Sequence, residues 1–191
     1  MTAVAPTRER LLAASRSLVE EGGYGAATVA AVAQRAGVAT GTLYRHFASK
    51  QELFVELFRA VCDRELEAMA AAADGPDVVS ETERIVRVLS TFAERALRRP
   101  RLAWALLAEP VDPLVDTERL AYRARYAELL AATLRRAIAA GELPIQDVEL
   151  TAAALVGGCG EALVGPLAAD GYGSGELVDA LRAFVLRAIG A

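Results

Sequence analysis

Apolar residues in this chain return every three or four positions and nowhere alternate in twos over the length of a strand. A half-buried sheet needs a period of two, and an amphipathic helix a period near 3.6. The pattern therefore restricts the chain to an all-α fold, and the residues filling it (Ala, Leu, Arg, Glu) are strong helix formers. Glycines, prolines and capping residues cut it into nine helical segments. The first spans 7–21, with Thr7 as its cap, Gly22-Gly23 as its stop, and Leu11, Leu12, Ser15, Leu18 and Val19 as its buried stripe. Thr28 caps a short second segment to 36, with Val29, Val32 and Ala33 inward, and Gly37 ends it. The third covers 40–47 and sets Leu43 and Phe47 on one face. Ser49 and Glu52 form a capping box that opens the fourth, 49–73. Ser80 and Glu83 do the same for the fifth, 80–98, whose stripe is Ile85, Val88, Leu89, Phe92 and Ala96. A short sixth, 102–107, follows Pro100, and Asp112-Pro113 opens a long seventh that ends near Gly141. Asp147 caps an eighth to 164 and Ser174 a ninth to 189.

Composition narrows the function classes. The 191 residues, 54% of them hydrophobic, suffice for one large core or a small and a medium one. A net charge of −4 argues against a protein that coats nucleic acid generally. The charge is uneven, however. Residues 1–50 hold Arg8, Arg10, Arg16, Arg35, Arg45 and Lys50 against Glu9, Glu20 and Glu21, a net +3, which leaves −7 for the remainder. A basic head on an acidic body fits a polyanion met by the head alone, although ordinary scatter gives such a split as readily. Cys62 and Cys159 lack metal-ligand spacing and suit a reducing compartment, and no cofactor motif is present. Arg8, Glu9 and Arg10 precede the first apolar run, unlike a signal peptide. The apolar run 152–169 is too short, and too broken by Glu161, Pro166 and its glycines, to make a membrane span. A cytoplasmic protein without a membrane partner is expected. No histidine lies outside the head and no nucleophile has an adjacent base, so no catalytic residue is assigned and no enzyme is expected.

Segments 28–36 and 40–47, joined by a turn containing Gly37, have the spacing of a helix-turn-helix. The second helix of such a unit enters the DNA major groove. Val38, Leu43 and Phe47 supply its apolar inner positions, and Thr40, Gly41, Thr42, Tyr44, Arg45 and His46 its polar or small outer ones. Small residues at the front let the backbone approach the bases, and the Tyr44 hydroxyl can donate to a phosphate. The only histidine, His46, and the only lysine, Lys50, fall within this stretch. Lys50 occupies the first turn of the fourth helix, where a cation is slightly unfavourable unless an anion is bound there. Each sign is weak alone, since a lone histidine is more often structural and a lysine-poor chain must place its lysine somewhere.

Taken together, GVATGTLYRHFASKQEL at 37–53 and its lead-in TVAAVAQRAGV at 28–38 resemble the signature of the TetR family of transcriptional regulators. The resemblance covers most of residues 7–55. It implies a homodimeric repressor with a helix-turn-helix DNA-binding domain at 1–50 and a ligand-binding and dimerisation domain at 51–191. It implies a double-stranded DNA operator and a small-molecule effector as partners, and carries DNA contacts over to Thr28, Thr40, Thr42, Tyr44, His46 and Lys50. Ala30 departs from the pattern, standing where some members place a base-reading arginine. Base reading then depends more heavily on 40–46.

In the body the resemblance assigns roles to helices, and the last two become a dimerisation pair. Gly157, Gly158 and Gly160 inside a helix cost ~1 kcal/mol each in propensity, which close approach of a partner helix would offset. Gly157 and Gly158 with Leu181, Phe184 and Val185 are the expected seam, an ordinary monomer core being the alternative. Phe92, Trp104, Tyr122 and Tyr126, with Glu109, Arg123 and Cys159, are the candidates for an effector site, though aromatics at helical spacing are more often core. Convergent polar groups are scarce, so an apolar or amphipathic effector is expected. Two other readings stay open: a body that binds a protein partner, and a helical carrier or enzyme with a relic head.

Overall fold

The computed structural model describes residues 5–168 and 174–191, Ser174 by its backbone alone, so the cap expected of the Ser174 side chain lies outside the described residues. Among the described residues there are nine helices and no strand. They are α1 (Thr7–Ala26), α2 (Val29–Arg35), α3 (Thr40–His46), α4 (Lys50–Ala73), α5 (Glu81–Arg98), α6 (Pro100–Leu107), α7 (Pro113–Ala139), α8 (Val148–Ala168) and α9 (Ser174–Ile189). The chain divides into two units. The first holds Met1–Val61 and Arg99–Arg119, the second Cys62–Arg98 and Leu120–Ala191.

In the first unit α1 packs on α2, α3 and α6. Leu11, Leu18, Val32, Leu43, Phe47 and Leu53 are buried there. Thr28 caps α2 as expected, its Oγ1 accepting the Ala31 N–H at 3.2 Å. Thr7 does not cap α1. Pro6, with φ −51° and ψ 145°, already has the extended geometry of a cap residue, so the helix starts at Thr7 without a side-chain acceptor. The stop at Gly22-Gly23 is present as a break in the dihedrals, with one further helical turn beyond it. Gly23 has φ 73° and Gly37 φ 65°, left-handed values that a side chain would strain. At Ser49 the box closes one residue early: Ser49 Oγ accepts the Glu52 N–H at 3.1 Å, and the Glu52 carboxylate accepts from Ala48 N–H at 2.5 Å.

In the second unit α5, α8 and α9 pack on one another. Their facing stripes bury Ile85, Val88, Leu155, Leu163, Val185 and Ile189, each contributing roughly 1.5–3 kcal/mol by leaving water. Only half of the Ser80–Glu83 box forms. Ser80 Oγ accepts the Glu83 N–H at 3.0 Å, but the other free N–H groups of α5, on Glu81 and Thr82, donate to Glu142 at 3.1 and 2.8 Å. Those bonds hold the Glu142 carboxyl below its ordinary value. The helix α8 runs four residues past its expected end, through Pro166, because Leu167 is buried and anchors the last turn.

Candidate functional site

The turn between α2 and α3 is clasped from α1. The Arg10 guanidinium donates to the Ala36 carbonyl and, at 3.3 Å, to that of Gly37. Beside this turn, Arg35, the last residue of α2, pairs with Glu21 and donates to Ser17 Oγ at 2.8 Å, both on α1. With Leu43 and Phe47 buried, the opposite side of α3 has to face outward. Thr28, Thr40, Gly41, Arg45 and His46 are exposed, Tyr44 is 52% exposed, and Thr42 and Lys50 are half-buried. Arg45 donates to Thr42 Oγ1 at 3.0 Å. Nothing in the fold requires glycine at 41, since its φ is not positive and a Cβ there would meet no atom within 4 Å.

The six basic side chains of the first fifty residues divide into two groups. Arg8 pairs with Glu56, Arg16 with Glu20 and Arg35 with Glu21, while Arg10 is spent on the turn. Among the described residues, Arg45 and Lys50 have no carboxylate within 4 Å. The cationic charge left for an outside anion therefore lies at α3 and the start of α4. Lys50 also has a partner within the unit: its Nζ lies 4.9 Å from the centroid of the Phe54 ring, a cation–π contact that offsets its unfavourable place at a helix N-terminus.

The residues named for an effector site fall in both units. Trp104 and Glu109 belong to the first unit, where Glu109 Oε2 accepts the Tyr24 N–H at 3.1 Å. Phe92, Tyr122, Arg123, Tyr126 and Cys159 belong to the second. There Phe92 lies 5.9 Å from Tyr126 and Tyr122 6.3 Å from Tyr126, ring to ring. The Tyr122 hydroxyl donates to Asp63 at 2.7 Å, as does Arg125, whose guanidinium lies 4.6 Å from the Tyr122 ring centroid. Tyr126 donates to the Cys62 carbonyl at 3.4 Å. Burial and Asp63 push the Tyr122 phenol up to about 12. Burial pushes the Cys62 thiol to about 12 and that of Cys159 to about 11, so neither is a thiolate near neutrality. Arg123 is exposed, and Cys159 is buried. Asp63 and Arg125 escaped the sequence reading because their meeting depends on how α4 and α7 pack.

The expected seam also divides. Leu181 and Val185 are buried in their own unit's core, which takes them away from an outside partner. Phe184 is 40% exposed, a Cβ on Gly158 would lie 3.5 Å from its ring, and Gly157 faces open space. Among the described residues α8 is the one helix long and apolar enough to cross a membrane, with a mean hydropathy of 1.4 and 28% of that stretch buried. Its uncovered residues include Leu150, Gly157 and Gly158.

The chain is similar to known proteins in sequence and in fold. The profile of bacterial regulatory proteins of the tetR family matches residues 11–57. The transcriptional repressor KstR of Rhodococcus jostii is 38% identical over 99 residues, 52% of this chain and 45% of that protein. KstR of Mycobacterium tuberculosis is 32% identical over 142 residues, 73% of this chain and 61% of that protein. The chain thus spans about half to three fifths of the length of these relatives. In fold it is similar to the fatty acid degradation regulator FadR of Bacillus halodurans, with a TM-score of 0.82 at 20% identity over 97% of each chain. FadR of Bacillus subtilis, solved in complex with stearoyl-CoA, gives 0.80 at 22% identity over 95% of this chain and 98% of that one. With a helix-turn-helix clasped to α1, cations kept at its outer face and the profile match over that same stretch, the chain belongs to the TetR family of transcriptional regulators.

Proposed function

We propose that this chain is a cytoplasmic repressor that binds an inverted-repeat DNA operator as a homodimer and leaves it when a small molecule binds. Residues 1–50 serve as the reader and 51–191 as the ligand-binding and dimerisation domain. Arg45 and Lys50 carry the reading: they stay out of carboxylate pairs while the other four basic side chains of the head are engaged inside the fold. Thr40, Gly41, Thr42, Arg45 and His46 face the base edges, and Thr28, Tyr44 and Lys50 the phosphates. The side of α8 left uncovered around Leu150, Gly157 and Gly158, with Phe184 of α9 beside it, suits a second copy of the chain. Two readers so joined meet half-sites about 34–36 Å apart.

The effector site is proposed around Phe92, Tyr122 and Tyr126, and its ligand is apolar or amphipathic. The stearoyl-CoA in the Bacillus subtilis relative makes a long-chain acyl thioester the first class to try. Differential binding to the DNA-competent and released conformations worth about 1–3 kcal/mol is enough for a useful switch. The test is selection of bound sequences from random DNA, followed by release of the selected duplex with a panel of acyl thioesters and free fatty acids. An enriched palindrome and release by one class support the reading. An enriched palindrome that no compound releases moves the effector to a protein partner.

A further inference from the structure

Glu109 sits in the turn after α6 and reaches far back along the chain, its Oε2 accepting the Tyr24 N–H at 3.1 Å. The break in α1 makes room for it. A Cβ on Gly23 would lie 2.9 Å from both carboxylate oxygens, so glycine alone admits the carboxylate there. From the other side Arg119 of α7 fixes the same turn: its Nη2 donates to the Glu109 carbonyl at 2.6 Å and its Nε to that of Leu106 at 2.7 Å. Tyr24 then sets its ring edge-on to Phe54, with centroids 4.9 Å apart and planes at 67°. Phe54 in turn carries the Lys50 ammonium, 4.9 Å from its centroid. Arg119, Glu109, Tyr24, Phe54 and Lys50 all belong to the first unit and form a continuous chain of contacts from the α6–α7 turn to the start of α4.

We propose that Glu109 is a positioning residue for Lys50: by holding Tyr24 against Phe54 it keeps the lysine ammonium over the Phe54 ring, ready for a DNA phosphate. The inference rests on the reading of Lys50 as a phosphate contact. A lysine side chain has four rotatable bonds and loses that freedom when it docks, so a restraint set beforehand favours the contact. The carboxylate acts on a backbone N–H, for which the side-chain oxygen of glutamine also serves; alanine leaves that N–H without this acceptor.

The test uses the full chain and alternating poly(dA-dT) duplex, which needs no knowledge of the operator. Affinity is measured over a range of salt for the wild type, K50A, E109A, E109Q and the K50A/E109A double variant. K50A lowers the slope of log K against log salt by about 1 per subunit. E109A lowers affinity and slope in the same direction, E109Q restores both, and the double variant binds no more weakly than K50A. Separated residues without shared partners give additive losses, so an additive double variant overturns the inference alone. A silent K50A overturns the Lys50 reading and the inference with it. If E109A does not fold, F54L carries the same comparison: it removes the ring, lowers the slope as E109A would, and adds nothing to K50A, additivity again overturning the inference.

Discussion

The outer side of α3 and the outer side of α8 are both uncovered, and they are opposites. On α3 the exposed residues are polar or cationic, and its apolar Leu43 is buried with Phe47 beyond it. On α8 the exposed residues are largely alanine and glycine with Leu150 among them, and Glu149 and Glu161 are the charged ones. A helix that satisfies its own unit and shows polar groups is ready for a hydrated, charged partner. A helix that leaves apolar surface in water, and gives up propensity to glycines that nothing in its own unit requires, suits an apolar partner close by. Gly157 and Gly41 share one property: a Cβ would meet nothing within 4 Å at either position, so packing within the chain does not require glycine there.

The largest expected effect lies on α8. Gly157→Glu puts an unpaired charge at the proposed seam, where burial without a partner costs several kcal/mol. The dimer should fall apart in sedimentation while the single chain keeps its helicity, since the new side chain has open space. A variant still dimeric at micromolar concentration would break the contrast. Next comes the inner side of α3. Leu43 is fully buried, so Leu43→Ala should lower stability by about 2–5 kcal/mol in chemical denaturation. On the outer side, Thr42→Ala and His46→Ala should leave the unfolding midpoint unchanged. Each should weaken operator binding by about 1–3 kcal/mol for every hydrogen bond to a base edge that it removes, with little effect on scrambled DNA.

How far these sites were legible in the sequence follows the same division. The existence of the helical segments and the inner and outer sides of α3 depend on neighbours three or four residues away, so the period gave them, while several helix ends, at Ala26, Pro100 and Ala168, lie beyond where the breakers put them. The cap at Thr28 and the stops at Gly22-Gly23 and Gly37 are local chemistry of the same kind. What the period could not give is where a side chain goes when its partner is distant. Arg8, Arg10, Arg16 and Arg35 counted toward a basic head, yet each is engaged within the fold. Glu109 stood among the charged effector candidates, and its bond to Tyr24, 85 residues earlier, has no trace in the period. Leu181 and Val185 fitted an apolar stripe, but a stripe does not say which of two neighbours it meets. For the same reason the Ser80–Glu83 box forms only in half: the Glu83 carboxylate accepts from Arg87 and Arg182, and the distant Glu142 takes the N–H groups of Glu81 and Thr82.

The smallest expected effect tests that cap. The hydrogen bonds to Thr82 and Glu81 lower the Glu142 carboxyl, so the stability they give is present above its unfolded value and is lost as pH falls through the folded one. Glu142→Gln should therefore narrow the stability difference between neutral and acid pH without altering DNA binding. Thermal unfolding at a series of pH values reads it, and an unchanged profile would remove Glu142 as the acid-sensitive cap.

The proposed function stands or falls with the outer side of α3 as the part that reads DNA. Selection of bound duplexes from a random pool, run in parallel with the wild type and a Thr42→Ala/His46→Ala double variant, decides it. The wild type should enrich an inverted repeat with half-sites about one helical turn, 10–10.5 base pairs, apart or a multiple of it. The double variant should enrich nothing, or a degenerate form of that repeat. The same repeat enriched equally by both proteins would contradict a DNA-reading role for these residues.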